Sequence, residues 1–139
     1  MQKIVIDTNV IVSSLIQRSY PNFIIRELFI EQKFQLCISD PLMTEYYEVL
    51  ARPKFLKFPD FFIRAELLLA EIEVRSTKYF PIITLNLISD NDDNRIIELA
   101  DESKADFIIT GNTKDFTFSV YKQTKIVSPR EYWEIYKPQ

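Results

Sequence analysis

The fold of this chain is decided by Met1-Gln2-Lys3-Ile4-Val5-Ile6-Asp7-Thr8-Asn9, which joins an apolar run to a polar cluster. The run Ile4–Ile6 is short and β-branched, which is typical of a strand buried on both faces of a parallel sheet. Ligands of open α/β sheets bind beyond the carboxyl ends of such strands, and Asp7 lies at that end. We therefore expect its carboxylate to be a metal ligand, a nucleophile or a helix cap.

Strands and helices alternate along the rest of the chain. Apolar runs predict further strands at Phe34–Ile38, Asp106–Thr110 and Lys125–Val127. Helices are predicted at Val10–Ile16, Pro21–Gln32, Asp40–Ala51, Asp60–Glu73, Asp92–Ser103 and Pro129–Tyr136. The starts at Asp40-Pro41 and Ser128-Pro129 place a capping side chain before a proline. This order predicts a single domain, residues 1–139, with a three-layer α/β/α fold and a central parallel sheet of four or five strands.

The composition excludes several kinds of catalytic site. The chain contains no histidine, which removes Ser-His-Asp and Cys-His catalysis, imidazole bases and histidine zinc sites. Its single glycine, Gly111, removes P-loops and Rossmann fingerprints, which need several glycines. Its net charge of −3 excludes a bulk polycation that binds nucleic acid nonspecifically. Carboxylates, hydroxyls, amides and basic side chains are left to carry out the chemistry.

Other features concern the compartment in which the protein works. No apolar run approaches the about 18 residues of a membrane span, and the N-terminal residues lack the pattern of a signal peptide. The only cysteine, Cys37, lies in an apolar run, which is typical of a small core residue. We therefore expect a cytoplasmic protein that does not enter the membrane.

Acidic and amide side chains gather at three predicted strand-to-helix junctions. These junctions are Asp7-Thr8-Asn9, Asp90-Asn91-Asp92-Asp93-Asn94 and Asn112-Thr113-Lys114-Asp115. A parallel sheet brings such junctions to one edge, where carboxylates repel and raise one another's pKa. A hard divalent cation relieves this repulsion, and oxygen ligands without histidine favour Mg²⁺ or Mn²⁺ over zinc.

A further acidic candidate, Glu45, lies inside a predicted helix. At about 100° per residue, Glu45 is about 40° from the apolar position Val49, whereas Glu48 is about 100° from it. Glu45 should therefore lean into the fold and need a partner there, and Glu48 should face solvent. That partner would be a metal ion or an arginine such as Arg26 or Arg52.

Each of the other acidic candidates has a simpler explanation. Asp7 would cap the following helix, and Asp115 would be an ordinary turn residue. Asp92 and Asp93 would stabilise a helix N-terminus through the helix dipole. The placement of these residues at successive strand ends favours a common site.

Several motifs resemble those of PIN-domain nucleases, in the same order and over essentially the whole chain. The stretch from Ile4 to Ser13 resembles the opening motif of that family. Leu42-Met43-Thr44-Glu45, followed by the stretch from Glu48 to Lys54, is similar to the second motif of one branch. Members of that branch are described as toxin components of toxin–antitoxin systems. Similar matches occur at Ser89–Arg95, Phe107–Asn112 and Val127–Tyr132.

The resemblance implies a Mg²⁺- or Mn²⁺-dependent ribonuclease with RNA as substrate. Its catalytic residues would be Asp7, Glu45 and Asp93. The fourth-motif position, commonly aspartate in the superfamily, is Asn112 here, and Asp115 is a candidate to replace the lost charge. The implied metal ligands are Asp7, Glu45, Asp90, Asp93 and Asp115, and the supporting residues are Thr8, Asn9, Asn94 and Asn112.

The resemblance also implies partners. Toxin-type members pair with a small antitoxin protein that blocks the acidic cleft, often with an arginine, and they often form homodimers. Lysines and arginines near the rim would contact RNA phosphates, and aromatic side chains would either stack on bases or pack in the core. The basic candidates are Arg18, Lys54, Lys57, Lys114 and Lys122, and the aromatic ones are Tyr46, Tyr47, Phe116 and Phe118.

Two other functions fit parts of the pattern. A PIN-like module that binds RNA or a protein without cleaving is favoured by Asn112 and disfavoured by the set Asp7, Glu45 and Asp93. A phosphotransferase of the haloacid-dehalogenase kind would use Asp7 as nucleophile. That class needs a second aspartate two residues later, where this chain has Asn9.

Overall fold

The computed structural model describes all 139 residues and contains one six-stranded sheet. Its strands are β1 (Lys3–Ile6), β2 (Gln35–Ile38), β3 (Thr77–Lys78), β4 (Phe107–Ile109), β5 (Val120–Tyr121) and β6 (Thr124–Val127). The order across the sheet is β3-β2-β1-β4-β6-β5. Every neighbouring pair is parallel except β5 and β6, which are antiparallel.

Six α-helices connect and cover these strands. They are α1 (Thr8–Ile16), α2 (Tyr20–Phe23), α3 (Asp40–Leu50), α4 (Phe61–Arg75), α5 (Asn91–Ser103) and α6 (Pro129–Glu131). Helices α2 and α6 continue as π-helical turns over Ile24–Phe29 and Tyr132–Tyr136. Two 3₁₀ turns lie at Pro53–Lys57 and Thr113–Asp115. The α/β class and the three-layer PIN-like architecture predicted from the sequence are confirmed.

The core lies around the central strands β1 and β4. Ile4, Val5 and Ile6 are completely buried, as the β-branched run predicts. They belong to one continuous cluster of 37 buried apolar residues. Cys37 is a buried member of the same cluster. Because β1 is covered on both faces, its polar continuation, Asp7, emerges from the core at the sheet edge.

The predicted parallel sheet of four or five strands is confirmed, because five of the six strands, β3, β2, β1, β4 and β6, are parallel, and β5 adds an antiparallel strand at one edge. Strands β3 and β5, which were not predicted individually, contain two residues each and lie at the two outer edges. Such short strands show no alternation of apolar and polar residues, so periodicity does not reveal them. The cap of α3 is also displaced by one residue, because Ser39 and not Asp40 accepts the hydrogen bond of the Leu42 N–H.

No helix of this protein combines the length and the hydropathy that a membrane crossing requires.

Candidate functional site

A cleft of about 440 Å³ opens where β1 and β4 end. The two strands are parallel neighbours, so Asp7 after β1 and Asn112 after β4 reach the same edge of the sheet. The cleft is lined by all five predicted metal ligands, namely Asp7, Glu45, Asp90, Asp93 and Asp115. The supporting residues Thr8, Asn9 and Asn112 also line it. Asn94 does not.

Asp7 is held in one orientation at the carboxyl end of β1. Its Oδ1 accepts a hydrogen bond of 2.8 Å from the N–H of Thr8, and its Oδ2 accepts one of 2.8 Å from Thr110 Oγ1. Its own N–H donates to the Ile109 carbonyl at 2.9 Å. Asp7 is also the N-cap of α1. Asp7 therefore caps α1 and lines the cleft at the same time.

Asn9 ties the end of β4 to Asp7. Its Oδ1 accepts a hydrogen bond of 2.9 Å from the Gly111 N–H, and its Nδ2 donates to Asp7 Oδ2 at 3.3 Å. A Cβ added at Gly111 would lie 3.1 Å from Asn9 Oδ1. This is tighter than an ordinary contact, so the single glycine of the chain permits the close approach of the two segments.

Glu45 reaches the cleft from α3, and its carboxylate accepts a hydrogen bond from the Thr8 hydroxyl. The neighbouring Tyr46 hydroxyl donates to the Ile6 carbonyl at 2.5 Å, which anchors α3 against the end of β1. Glu45 is half-buried and Glu48 is exposed, as the helical periodicity predicts. Glu45 takes part in none of the five ion pairs of the protein, so the arginine partner considered above was wrong.

The first turn of α5 supplies two more carboxylates. Asp90 is the N-cap of α5 and accepts a hydrogen bond of 2.8 Å from the Asp92 N–H. Asp93, on the same turn, lines the cleft. Asn94 is fully buried and turned away, and it supports the site indirectly through the preceding loop. Its Oδ1 accepts from the N–H groups of Leu87 and Ile88, and its Nδ2 donates to the Ile88 carbonyl.

The segment after β4 contributes an amide and a carboxylate. The Asn112 side chain is exposed in the cleft and forms no hydrogen bond within the protein, although its N–H donates to Thr110 Oγ1 at 3.1 Å. Asp115 follows one 3₁₀ turn later, and its N–H donates to the Asn112 carbonyl at 3.0 Å. Asp115 therefore brings a negative charge to the edge where Asn112 lacks one.

Three carboxylates of the cleft, those of Asp7, Glu45 and Asp93, have a raised pKa. Burial is the main cause of the raised pKa of Asp7, and the charges of Asp115 and Asp90 add to it. Burial also raises the pKa of Glu45. The pKa of Asp93 rises to about 7, first through burial and then through Asp7, Asp90, Asp115 and Glu45. Each of these groups is therefore less stable in its charged form than a free carboxylate.

This donor set fits a hard divalent cation. It consists of carboxylate, amide and hydroxyl oxygens, and none of its carboxylates belongs to an ion pair. No three acidic side chains lie close enough together here to surround one ion. Binding would therefore require the carboxylates to approach one another, which their mutual repulsion opposes until a cation is present.

The residues proposed for RNA contact lie in different places. Lys54 lines the acidic cleft, whereas Arg18 lines a separate cleft with Arg26. Lys122 forms an ion pair of 2.6 Å with Asp101. Of the aromatic candidates, Tyr46 and Phe116 are buried, so they pack in the core, and the Tyr47 hydroxyl donates to Glu73 at 2.6 Å.

Two residues of the site were missed by sequence reasoning. Thr110 follows β4 directly, in the position that Asp7 has after β1, so the strand-end rule applied to hydroxyls would have found it. Arg52 lines the cleft, although it was considered only as a partner for Glu45. Nothing in the sequence around Arg52 indicates that its side chain faces the cleft.

Comparison with known proteins relates this site to a described family. Residues 3–114 match the family described as PIN domain, a range that includes Asp7, Glu45, Asp90 and Asp93 and ends just before Asp115. An uncharacterized protein of Methanocaldococcus jannaschii is 36% identical over 113 residues, which is 79% of this chain and 70% of that protein. The name of that protein assigns no activity.

Proposed function

This chain belongs to the PIN-domain family, whose members are generally nucleases that use divalent metal ions, and from that membership we propose that it is a Mg²⁺- or Mn²⁺-dependent endoribonuclease. The reaction would be hydrolysis of an RNA phosphodiester. The observation that supports this most is the convergence of five carboxylates on one cleft without an ion pair.

The proposed catalytic residues are Asp7, Glu45 and Asp93, which would hold the cation together with Asp90 and Asp115. When bound, the cation would supply a more acidic water and would stabilise negative charge on phosphate oxygens. Thr110 and the Thr8 N–H keep Asp7 in place, and the Thr8 hydroxyl holds Glu45. These contacts orient Asp7 and Glu45 toward the cleft, and the cation would draw the remaining carboxylates toward them.

The side-chain amide of Asn112 offers a hydrogen-bond donor that an aspartate would lack. Its exposed side-chain amide has no partner in the protein and lies on the wall of the cleft. An amide N–H donates to a non-bridging phosphate oxygen, whereas a carboxylate at this position would repel it. We propose that Asn112 orients the scissile phosphate in this way.

The direct test is cleavage of single-stranded and structured RNA by the full chain with Mn²⁺, Mg²⁺ or a chelator. We expect cleavage only with the cation, giving 5′-phosphate and 3′-hydroxyl ends, and a loss of at least about 100-fold for Asp7→Asn. Glu66→Gln, which changes an exposed carboxylate of α4, should cleave like the parent. Activity that survives chelation, or equal activity of Asp7→Asn, would falsify the proposal.

The alternative is a PIN-like module that binds RNA or a protein without cleaving it. The replacement of an acidic residue by Asn112 favours this function. Cation binding without any cleavage, under conditions in which RNA is bound, would support it over the nuclease.

We also propose that the protein is the toxin of a toxin–antitoxin pair and that it forms a homodimer. An arginine of a small antitoxin protein would find charge-assisted hydrogen bonds in the acidic cleft. The homodimer is supported by Ile63, Leu67 and Val74 on α4, which are 63%, 64% and 82% exposed. The cytoplasmic location stays a prediction from the sequence.

A further inference from the structure

We propose that the segment Arg52–Lys57 binds backbone phosphates of a single-stranded RNA beside the acidic cleft, and we name it the basic segment. This inference rests on the proposed ribonuclease function and adds the surface that holds the strand. The basic segment directly follows α3, which carries Glu45. Arg52 and Lys54 line the same cleft as the carboxylates.

The three cations of the basic segment are free to meet a ligand. Arg52, Lys54 and Lys57 are exposed, and none of them takes part in the five ion pairs of the protein. By contrast, Lys78 and Lys122 are paired with carboxylates. In a chain of net charge −3, these unpaired cations form a local positive surface at the rim of a negative cleft.

The basic segment is held rigidly by the core. Phe55 is buried and stacks on Phe61 with ring centroids 4.6 Å apart. Its N–H donates to the Arg52 carbonyl at 3.1 Å. Lys54 and Lys57 each place Nζ 5.4 Å from the centroid of the next ring, that of Phe55 and of Phe58. A preorganised surface loses little conformational entropy when it binds a strand.

Charge explains why RNA needs this surface. A phosphodiester strand is repelled by the carboxylates of the cleft, so nearby cations must offset the repulsion along the flanking nucleotides. Leu56, which lies between Lys54 and Lys57, is 72% exposed. An unpaired base can rest on its apolar side chain, whereas the bases of a duplex are stacked inside. The surface therefore fits a single strand better than a duplex.

The test measures binding without cleavage. A fluorescent single-stranded RNA is titrated in Mg²⁺ with the Asp7→Asn full chain, over a series of salt concentrations. Adding Lys54→Ala and Lys57→Ala should weaken binding about tenfold at all sequences tested. The slope of log K against log salt should fall by about 1.4, since each phosphate contact on a single strand contributes about 0.7.

The matched control adds Lys33→Ala and Lys125→Ala to Asp7→Asn. Both lysines are exposed and unpaired and lie near the amino ends of β2 and β6, at the opposite edge of the sheet. Lys125 also sits over an aromatic ring, that of Tyr136, as Lys54 and Lys57 do over theirs. The control should bind RNA like Asp7→Asn alone. The thermal unfolding of each variant shows that it is folded.

Three outcomes would overturn the inference. They are no measurable RNA binding by Asp7→Asn, unchanged affinity and salt slope in the lysine variant, and tighter binding of polyglutamate than of RNA. The last would make the basic segment a site for an acidic peptide. Cleavage by the parent is scored separately, so an active parent with an unchanged lysine variant rejects this inference and leaves the proposed nuclease intact.

Discussion

At the scale of single residues, Asp93 shows how the acidic cleft lowers the stability of the folded protein. Its pKa is raised from 3.8 to about 7 by burial and by the neighbouring carboxylates. The folded protein therefore binds this proton more tightly than the unfolded chain does. Stability is lost as the pH rises from about 4 to about 7 and the carboxyl group ionises in an unfavourable environment.

Replacing this carboxylate should therefore stabilise the cation-free protein. We expect Asp93→Asn to raise the melting temperature in chelator at pH 8, with a difference from the parent that shrinks toward pH 4. Scanning calorimetry across this pH range measures the effect. Glu66→Gln should leave the melting temperature unchanged, because that carboxylate is exposed. A lower melting temperature for Asp93→Asn at pH 8 would contradict the prediction.

A divalent cation should stabilise the folded protein, because it relieves the repulsion between the carboxylates of the cleft. We expect Mn²⁺ or Mg²⁺ to raise the melting temperature of the parent, by the equivalent of about 2.7 kcal/mol at a concentration 100 times the dissociation constant. Asp7→Asn should respond much less. A control with potassium chloride at the same ionic strength, in buffer free of other divalent cations, separates the effect of cation binding from that of ionic strength. Equal shifts in both proteins would exclude Asp7 as a ligand.

Asn94 acts through the loop before α5. Asn94→Ala removes three hydrogen bonds to Leu87 and Ile88, and it leaves their backbone groups without those partners. We expect it to lower the free energy of unfolding by about 2–4 kcal/mol in urea titrations. Asn86→Ala, which changes an exposed asparagine of the same loop, should cost well under about 1 kcal/mol. Similar losses for both variants would refute this role.

At the scale of elements, α4 has two apolar faces. Its inner face buries Phe61, Ala65, Leu68 and Ile72 in the core. Its outer face exposes Ile63, Leu67 and Val74, which the spacing places on the opposite side of the helix. A helix that is apolar on both sides is usually covered on both, so the outer face supports the proposed homodimer.

The homodimer can be tested on this face. We expect the parent to sediment as a dimer at micromolar concentration and Leu67→Glu to sediment as a monomer, because a charge would be buried without a partner. Ile135→Glu introduces the same charge at a residue that is 66% exposed on the C-terminal helical turn, and it should leave the dimer intact. A monomeric parent would rule out the homodimer.

The elements themselves were predictable to different degrees. The apolar run of β1 and the amphipathic pattern of α5 follow from local sequence, and four residues were enough to predict the Ser128 capping box. The two-residue strands β3 and β5 exist only because a neighbouring strand offers hydrogen-bond partners. Two residues span a single period of the β pattern, which is too short to show an alternation of apolar and polar side chains.

At the scale of the whole molecule, the cleft depends on the order of the strands. β4 lies beside β1 although about 100 residues separate them, and this pairing brings Thr110 and Asn112 next to Asp7. Helices α3 and α5 then add Glu45, Asp90 and Asp93. A parallel sheet alone predicts that Asp7 and Asn112 meet, because β1 and β4 end at the same edge. The strand predicted before Asp90 is absent, since a loop precedes α5, so Glu45, Asp90 and Asp93 reach the cleft only through the packing of α3 and α5.

The sequence by itself determined the α/β class, the buried central strand and the placement of Asp7 and Asn112 beyond the ends of parallel strands. Each of these follows from local composition and from the geometry that all parallel sheets share. Only the tertiary structure decided that Thr8 holds Glu45, that Asn94 faces a loop and that Lys54 lies in the cleft while Lys122 is paired. Those contacts join segments far apart in the chain, and hydrogen bonds and ion pairs act over only a few ångströms. A partner at that range is known only when the packing of the whole chain is known.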